Sequence, residues 1–280
     1  MNLVQAPIET GTLEVPGASL CYEVRGTGPL LLLIIPGGPT DLGAPSGVAA
    51  CLADRYAVVT YHRRGPSRGL LAGPPVDTEV ASLSDDAHRL LAALGSEPCY
   101  VVGNSGGALA GLHLTAHHPE QVRELLVHEP PLPGLLPDRD RWRAAFQDVH
   151  DTPWIDAAGT FLAADATAAG GHAEPPLMPH RPALARDGGS RTQGNLDYFL
   201  AHLLLPVLRF AADVAALRSG RVRITVGVGA ASGEGVPARS ARILAELLGV
   251  RPIEFPGDHQ GLASEPAASA EIIRAVLGRT

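Results

Sequence analysis

At 280 residues, 45% of them hydrophobic, the chain has material for one large α/β domain with an insertion or for two small domains. Its formal charge of -7 and pI near 5.9 argue against a nucleic-acid partner or an anionic membrane surface, since both call for a basic face. No run is long enough to span a bilayer, and the first ten residues hold no basic-then-apolar leader, so a cytoplasmic protein is expected.

In chain order, Thr12 to Val15 and Ala18 to Arg25 predict a hairpin around Pro16-Gly17, with Leu20, Tyr22 and Val24 alternating on one face. Leu30 to Ile35 is uninterrupted apolar sequence, the mark of a strand buried on both faces. It ends in the tight turn Pro36-Gly37-Gly38-Pro39. A helix over about 45–53 and a strand over Ala57 to Tyr61 follow, then a loop from His62 through Pro75. Leu83, Ala87, Leu90, Leu91 and Leu94 sit at helical spacing and predict a helix over 78–94, stopped by Gly95. Cys99 to Gly103 is a further apolar strand, and the helix after it runs from Ala108 to His117, where Pro119 breaks it. Val122 to Glu129 closes this half as another strand. Alternating strands and helices with short turns predict a mostly parallel sheet covered by helices.

From Pro131 to about Leu217 strand-like runs disappear, and Trp142, Trp154 and Phe199 fall here. This stretch is expected to be a helical cap, 131–217, inserted in a core made of 1–130 and 218–280. Within it 163–195 is rich in Ala, Gly and Pro and is expected to be irregular. Its aromatic residues mostly serve a small core of its own; Trp142, Trp154 and Phe199 are the candidates for lining an apolar substrate pocket. The sheet pattern resumes with a strand over Val222 to Gly229, a helix over 237–248, a short strand over Pro252 to Phe255 and a final helix over 266–277. Cys21, Cys51 and Cys99 show no metal-ligand spacing, so no metal is expected and they read as small apolar residues.

The stretch with chemical content is Gly103-Asn104-Ser105-Gly106-Gly107, a Gly-x-Ser-x-Gly with a strand before it and a helix after it. Strand, serine and helix in succession force a tight turn that only small neighbours permit, with the serine hydroxyl standing above the sheet edge. A glycine-rich turn with Ser105 as a plain helix cap accounts for less of the flanking pattern. A serine hydroxyl needs a base within hydrogen-bond reach and a group that orients that base. His259 is the best placed of the eleven histidines, in a loop after the last strand at the carboxyl edge of the sheet. His113, His117 and His118 lie along or past the helix after Ser105, whereas His62 follows a neighbouring strand and stays open.

The succession Pro36-Gly37-Gly38-Pro39, Tyr61-His62-Arg63-Arg64-Gly65, Gly103-Asn104-Ser105-Gly106-Gly107 and Pro256-Gly257-Asp258-His259 resembles the α/β-hydrolase superfamily over nearly the whole chain. The resemblance implies an α/β fold: an eight-stranded, mostly parallel sheet with helices on both faces, the nucleophile after the fifth strand and the histidine after the eighth. It also implies an oxyanion hole, here from the N–H groups of Gly38 and Gly106, since Pro39 has none to give. Two departures stand out. Pro36 replaces the His that usually opens the oxyanion loop, and the loop 229–236, where most relatives carry an Asp, offers only Glu234. Glu129, one strand nearer and one methylene longer than an Asp, is the preferred acid, with Glu234 as the alternative and Asp258 disfavoured by its adjacency to His259.

A serine at position 105 excludes the ester-forming route of relatives that use an Asp there, and favours acyl transfer without a cofactor. The expected function is hydrolysis of an ester, lactone or thioester bond in a fairly apolar small molecule. The alternatives are a non-hydrolytic cyclisation or proton transfer with His259 as base, and, ranked last, a ligand-binding receptor on the same scaffold. The partner is thus a small-molecule substrate, with neither nucleic acid nor membrane, and a homodimer stays open.

Overall fold

The computed structural model describes residues 8–35, 43–65, 70–95, 97–151 and 198–278. Strands β1 (Ile8–Val15) and β2 (Ala18–Arg25) pair antiparallel, with Val15 opposite Ala18 across Pro16-Gly17. Gly17 adopts φ 80° there, a conformation that costs glycine little and other residues more. Next come β3 (Leu30–Ile34), α1 (Gly43–Leu52) and β4 (Ala57–Tyr61). A two-residue strand, β5 (Leu70–Leu71), pairs with the start of β2 inside what the sequence predicts to be loop. Helix α2 (Val80–Leu94), β6 (Cys99–Asn104), α3 (Gly106–His117) and β7 (Val122–His128) follow.

Between β7 and β8 (Arg223–Gly229) the described residues contribute helix and no strand, with 198–202 helical beside α4 (Arg139–Asp151), α5 (Leu204–Arg209) and α6 (Val214–Ser219). The stretch 163–195, expected to be irregular, lies outside the described residues. The chain ends with α7 (Val236–Leu248), β9 (Ile253–Phe255), α8 (Gly261–Ser264) and α9 (Pro266–Val276).

Eight strands run side by side in the order β1-β2-β4-β3-β6-β7-β8-β9, with β5 attached to β2. From β4 to β9 every pairing is parallel. The expected eight-stranded, mostly parallel α/β sheet is therefore present, and leaving out β5, Ser105 follows the fifth strand and His259 the eighth. Parallel strands require crossovers, and the crossover helices coat both faces, which is why the β3 run is apolar at every position. Leu32 and Ile34 pack with α2, α3 and α7, while Leu31 and Leu33 pack with α1 and α9. Successive residues of one strand thus enter two different cores.

A buried ion pair ties the β4 exit to this framework. Arg64 Nε donates to Asp86 Oδ2 of α2 at 2.8 Å, and the Asp86 side chain is fully buried. Removing one partner leaves the other charge without its counterion in a medium that solvates it poorly. Asp86→Ala should therefore lower the urea-derived unfolding free energy by about 3 kcal/mol, and the apolar double replacement Arg64→Met/Asp86→Leu should recover most of it. Equal losses in the single and the double variant would contradict this.

Candidate active site

The turn from β6 into α3 is set by close approach as much as by dihedral angle. Ser105 sits at φ 53° and ψ -125°, a region that costs a non-glycine residue ~1–3 kcal/mol. A Cβ on Gly103 would lie 2.6 Å from the Gly107 carbonyl oxygen, and one on Gly107 would overlap the Ile34 carbonyl oxygen. The start of α3 is folded back onto the ends of β6 and β3, and only bare backbone fits between them. At this helix start the leading N–H groups, that of Gly106 included, have no acceptor within the helix.

Glu129 follows β7, the strand beside β6, and adopts φ 47°. Among the described residues Ser105 and Glu129 are the non-glycine residues with positive φ. The Glu129 carboxylate is 1% exposed. Its Oε1 accepts the Gly229 N–H at 2.9 Å, and its Oε2 lies 2.8 Å from His259 Nδ1. Burial works to raise its pKa, but the hydrogen bond from His259 and the neighbouring imidazoles outweigh it and hold the carboxyl below its ordinary value.

His259 comes from farther away. Its loop starts at the end of β9, three strand positions from β6, and must cross back over about 14 Å of sheet edge. Backbone bonds guide it: Ala230 N–H donates to Phe255 O and Ala231 N–H to Gly257 O, each at 2.8 Å. A Cβ on Gly229 would come within 2.8 Å of the Asp258 backbone, so the missing side chain at 229 leaves the loop its passage. The imidazole arrives with Nε2 at 3.0 Å from Ser105 Oγ and Nδ1 at the Glu129 carboxylate. An ionised carboxylate only accepts, so Nδ1 bears the proton and Nε2 is free to accept from the Ser105 hydroxyl.

Of the residues named from the sequence, Ser105, His259 and Glu129 thus stand in one hydrogen-bonded chain. Glu234 is 65% exposed and pairs with Arg242 at 3.3 Å. Asp258 Oδ1 accepts the Gln260 N–H at 2.8 Å and shapes its own loop. His62 is buried, and its backbone N–H donates to Cys21 O at 2.8 Å. Trp142 packs with Leu136, Leu205 and Val236, and its indole N–H donates to Asp138 at 3.0 Å. Phe199 is half-buried against Leu200 and Leu204, while Gly38 and Trp154 lie outside the described residues. Beside the helix start a cavity of about 20 Å³ touches Gly106, Gly107, Ile34 and Arg63, enough for one water.

Two contributions escaped sequence reasoning. One is the Gly229 N–H on Glu129, which depends on sheet register. The other is His128, one residue before Glu129, whose Nδ1 lies 2.7 Å from Asn104 Oδ1 beneath the Ser105 turn. The register pairs Asn104 with His128 directly.

Comparison with known proteins places these features in context. A family model described as alpha/beta hydrolase fold matches residues 31–172. A Bacillus subtilis (strain 168) protein named "Uncharacterized hydrolase YraK" is 38% identical over 258 residues, covering 91% of this chain and 90% of that protein. Among solved structures, a hydrolase from Pseudomonas aeruginosa superposes with a TM-score of 0.71 at 22% identity, over 96% of this chain and 98% of the other. The esterase RhEst1 from a Rhodococcus species gives 0.68 at 18% identity, over 97% and 98%. At such identities the two structures speak for the fold alone.

His128 generates a prediction of its own. Burial pushes its pKa from the ordinary 6.5 down to about 4. Between those values the unfolded chain binds a proton that the folded chain refuses, so this contribution to stability is lost as pH falls. The wild type should lose roughly 2 kcal/mol more than His128→Leu in urea unfolding between pH 7 and pH 5. Glu129 does not blur this window, because its depressed value confines its own loss to pH below 4.5. Parallel pH curves for the two proteins would contradict a neutral, buried His128.

Proposed function

The chain belongs to the α/β-hydrolase fold family, and on that footing we propose that it is a cofactor-independent serine hydrolase acting on an ester, lactone or thioester bond of a fairly apolar small molecule. The observation that supports this best is the unbroken chain Ser105 Oγ, His259, Glu129, with contacts of 3.0 and 2.8 Å. In this reading Ser105 is the nucleophile, His259 the general base and then acid, and Glu129 the group that holds the imidazole in the required tautomer.

The steps follow from those roles. Ser105 Oγ attacks the substrate carbonyl carbon while its proton passes to His259 Nε2. The carbonyl oxygen becomes an oxyanion, for which the N–H groups of Gly106 and Gly38 are the proposed donors. His259 then gives the proton to the leaving alcohol, thiol or lactone oxygen, leaving an acyl group on Ser105. Water, deprotonated by the same nitrogen, releases the acid and restores the hydroxyl. Throughout, the buried Glu129 carboxylate stabilises the imidazolium. The helices between β7 and β8 are taken as a cap, 131–217, over a core of 1–130 and 218–280, with Trp154 and Phe199 as the proposed pocket residues. Trp142, packed with Leu136, Leu205 and Val236, would support that cap from within.

The reading is tested by covalent chemistry. A fluorophosphonate probe should label the wild type and not Ser105→Ala; an unlabelled but folded wild-type protein would overturn the proposal and favour non-acyl chemistry. Glu129→Gln should lower turnover of a p-nitrophenyl ester by about a hundredfold or more, whereas Glu234→Gln should leave it within about twofold. Comparable small effects of both would remove Glu129 from the mechanism.

A further inference from the structure

Ser105 and Glu129 occupy strained positions at the ends of adjacent strands, and each is preceded by one member of a buried pair. Asn104 and His128 are register partners on β6 and β7, 3% and 0% exposed. Main-chain bonds continue past them, from Ser105 N–H to His128 O at 3.0 Å and from Glu129 N–H to Gly227 O at 3.1 Å. We propose that Asn104 and His128 are positioning residues whose side-chain bond locks the Ser105 turn to the Glu129 turn; this rests on the serine-hydrolase reading above.

The chemistry of the pair supports the assignment. With the Asn104 amide oxygen as acceptor at 2.7 Å, His128 donates through Nδ1, and its neutral ring leaves Nε2 with a lone pair and no proton. That nitrogen is buried without a hydrogen-bond partner among the described residues. A core that needed only volume here would be served as well by an apolar ring, so the orphaned nitrogen calls for a reason. The Nδ1 bond supplies one. It also settles where the proton sits: a bare Nε2 offers Glu129 no donor, and the carboxylate takes hydrogen bonds from His259 and the Gly229 N–H.

The ring is placed to brace the other strand ends too. It packs edge-on against Phe255 at 5.1 Å, the last residue of β9, from which the His259 loop departs. A Cβ on Gly227 would stand 2.8 Å from the Phe255 ring and 3.3 Å from the His128 ring carbon Cδ2, so β8 is cut back to backbone where the two rings meet. One imidazole therefore meets the ends of the three strands that feed Ser105, the Gly229 N–H and His259.

The test is a double-mutant cycle on fluorophosphonate inactivation and p-nitrophenyl ester turnover. Asn104→Ala and His128→Ala should each lower kcat and the inactivation rate at least about tenfold with KM within about threefold, and the double variant should fall no lower than the worse single. Singles within about twofold of a labelled wild type, or effects that multiply, would overturn the pairing. A wild type that is not labelled would instead sink the serine-hydrolase reading. Should the variants fail to fold, histidine-selective 15N NMR of the wild type decides: the Nδ1–H tautomer at pH 7 is expected, and an Nε2–H or doubly protonated His128 would overturn the proposal.

Discussion

The contact between the Glu129 carboxylate and His259 Nδ1, 2.8 Å in a place almost closed to water, is the interaction on which the rest depends. It sets which imidazole nitrogen is free, and so whether the Ser105 hydroxyl faces a base or another donor. It also explains local peculiarities that otherwise look unrelated. Glu129 turns to φ 47° so that its side chain points along the sheet edge. Gly229 lacks a side chain so that the His259 loop can pass above it, and its main-chain N–H donates to the carboxylate. The loop after β9 is pinned by two main-chain bonds to the 230–231 backbone. Each of these is costly or permissive in isolation and intelligible only as support for one contact.

Strain at two turns must be opposed by something stiffer than the turns themselves. Here that is a parallel sheet with a core on each face, in which Leu31, Leu33, Val102 and Leu126 pack to one side and Leu32, Val101 and Leu125 to the other. Interiors packed to such density resist the backbone shifts by which a strained residue would relax. The Ser105 turn is held further by contact, because Gly103 and Gly107 bring the first turn of α3 within touching distance of β6 and β3. Rigidity of the layers and exposure of the hydroxyl are thus two consequences of one arrangement.

What could be read from the chain alone followed from locality. The apolar run Leu30 to Ile35, the alternation of the hairpin and the helical spacing of Leu83 to Leu94 are patterns within a single element, and they foretold the elements to within a residue or two, except that the first hairpin strand starts at Ile8 instead of Thr12. The Gly-x-Ser-x-Gly turn was legible because its steric demand falls on immediate neighbours. Where distant segments intervene, the reading slips. Thr78 fits the helical pattern yet lies outside α2, since its N–H donates to His202 O at 2.8 Å and its hydroxyl lies 2.9 Å from Tyr198 Oη. Strand β5 exists by pairing with β2 and is too short to show alternation. The Asn104 to His128 bond joins residues 24 apart through sheet register, which no spacing rule encodes.

The placement of the acid partner is a problem of reach. An acid after β8 would lie one strand closer to His259's own strand, but in this chain the backbone of Asp258 passes within 2.8 Å of where a Gly229 Cβ would be. A loop lying so low over the β8 end leaves little height for a carboxylate rising from that strand. From β7 the carboxylate approaches from beside the loop, and the span it must bridge is one strand spacing of about 4.8 Å, which the extra methylene of Glu and a left-handed backbone together help to cover. The glycine serves the same arrangement: with no side chain at 229 the His259 loop passes close over the β8 end, while the main-chain N–H of that residue donates to Glu129 Oε1 at 2.9 Å.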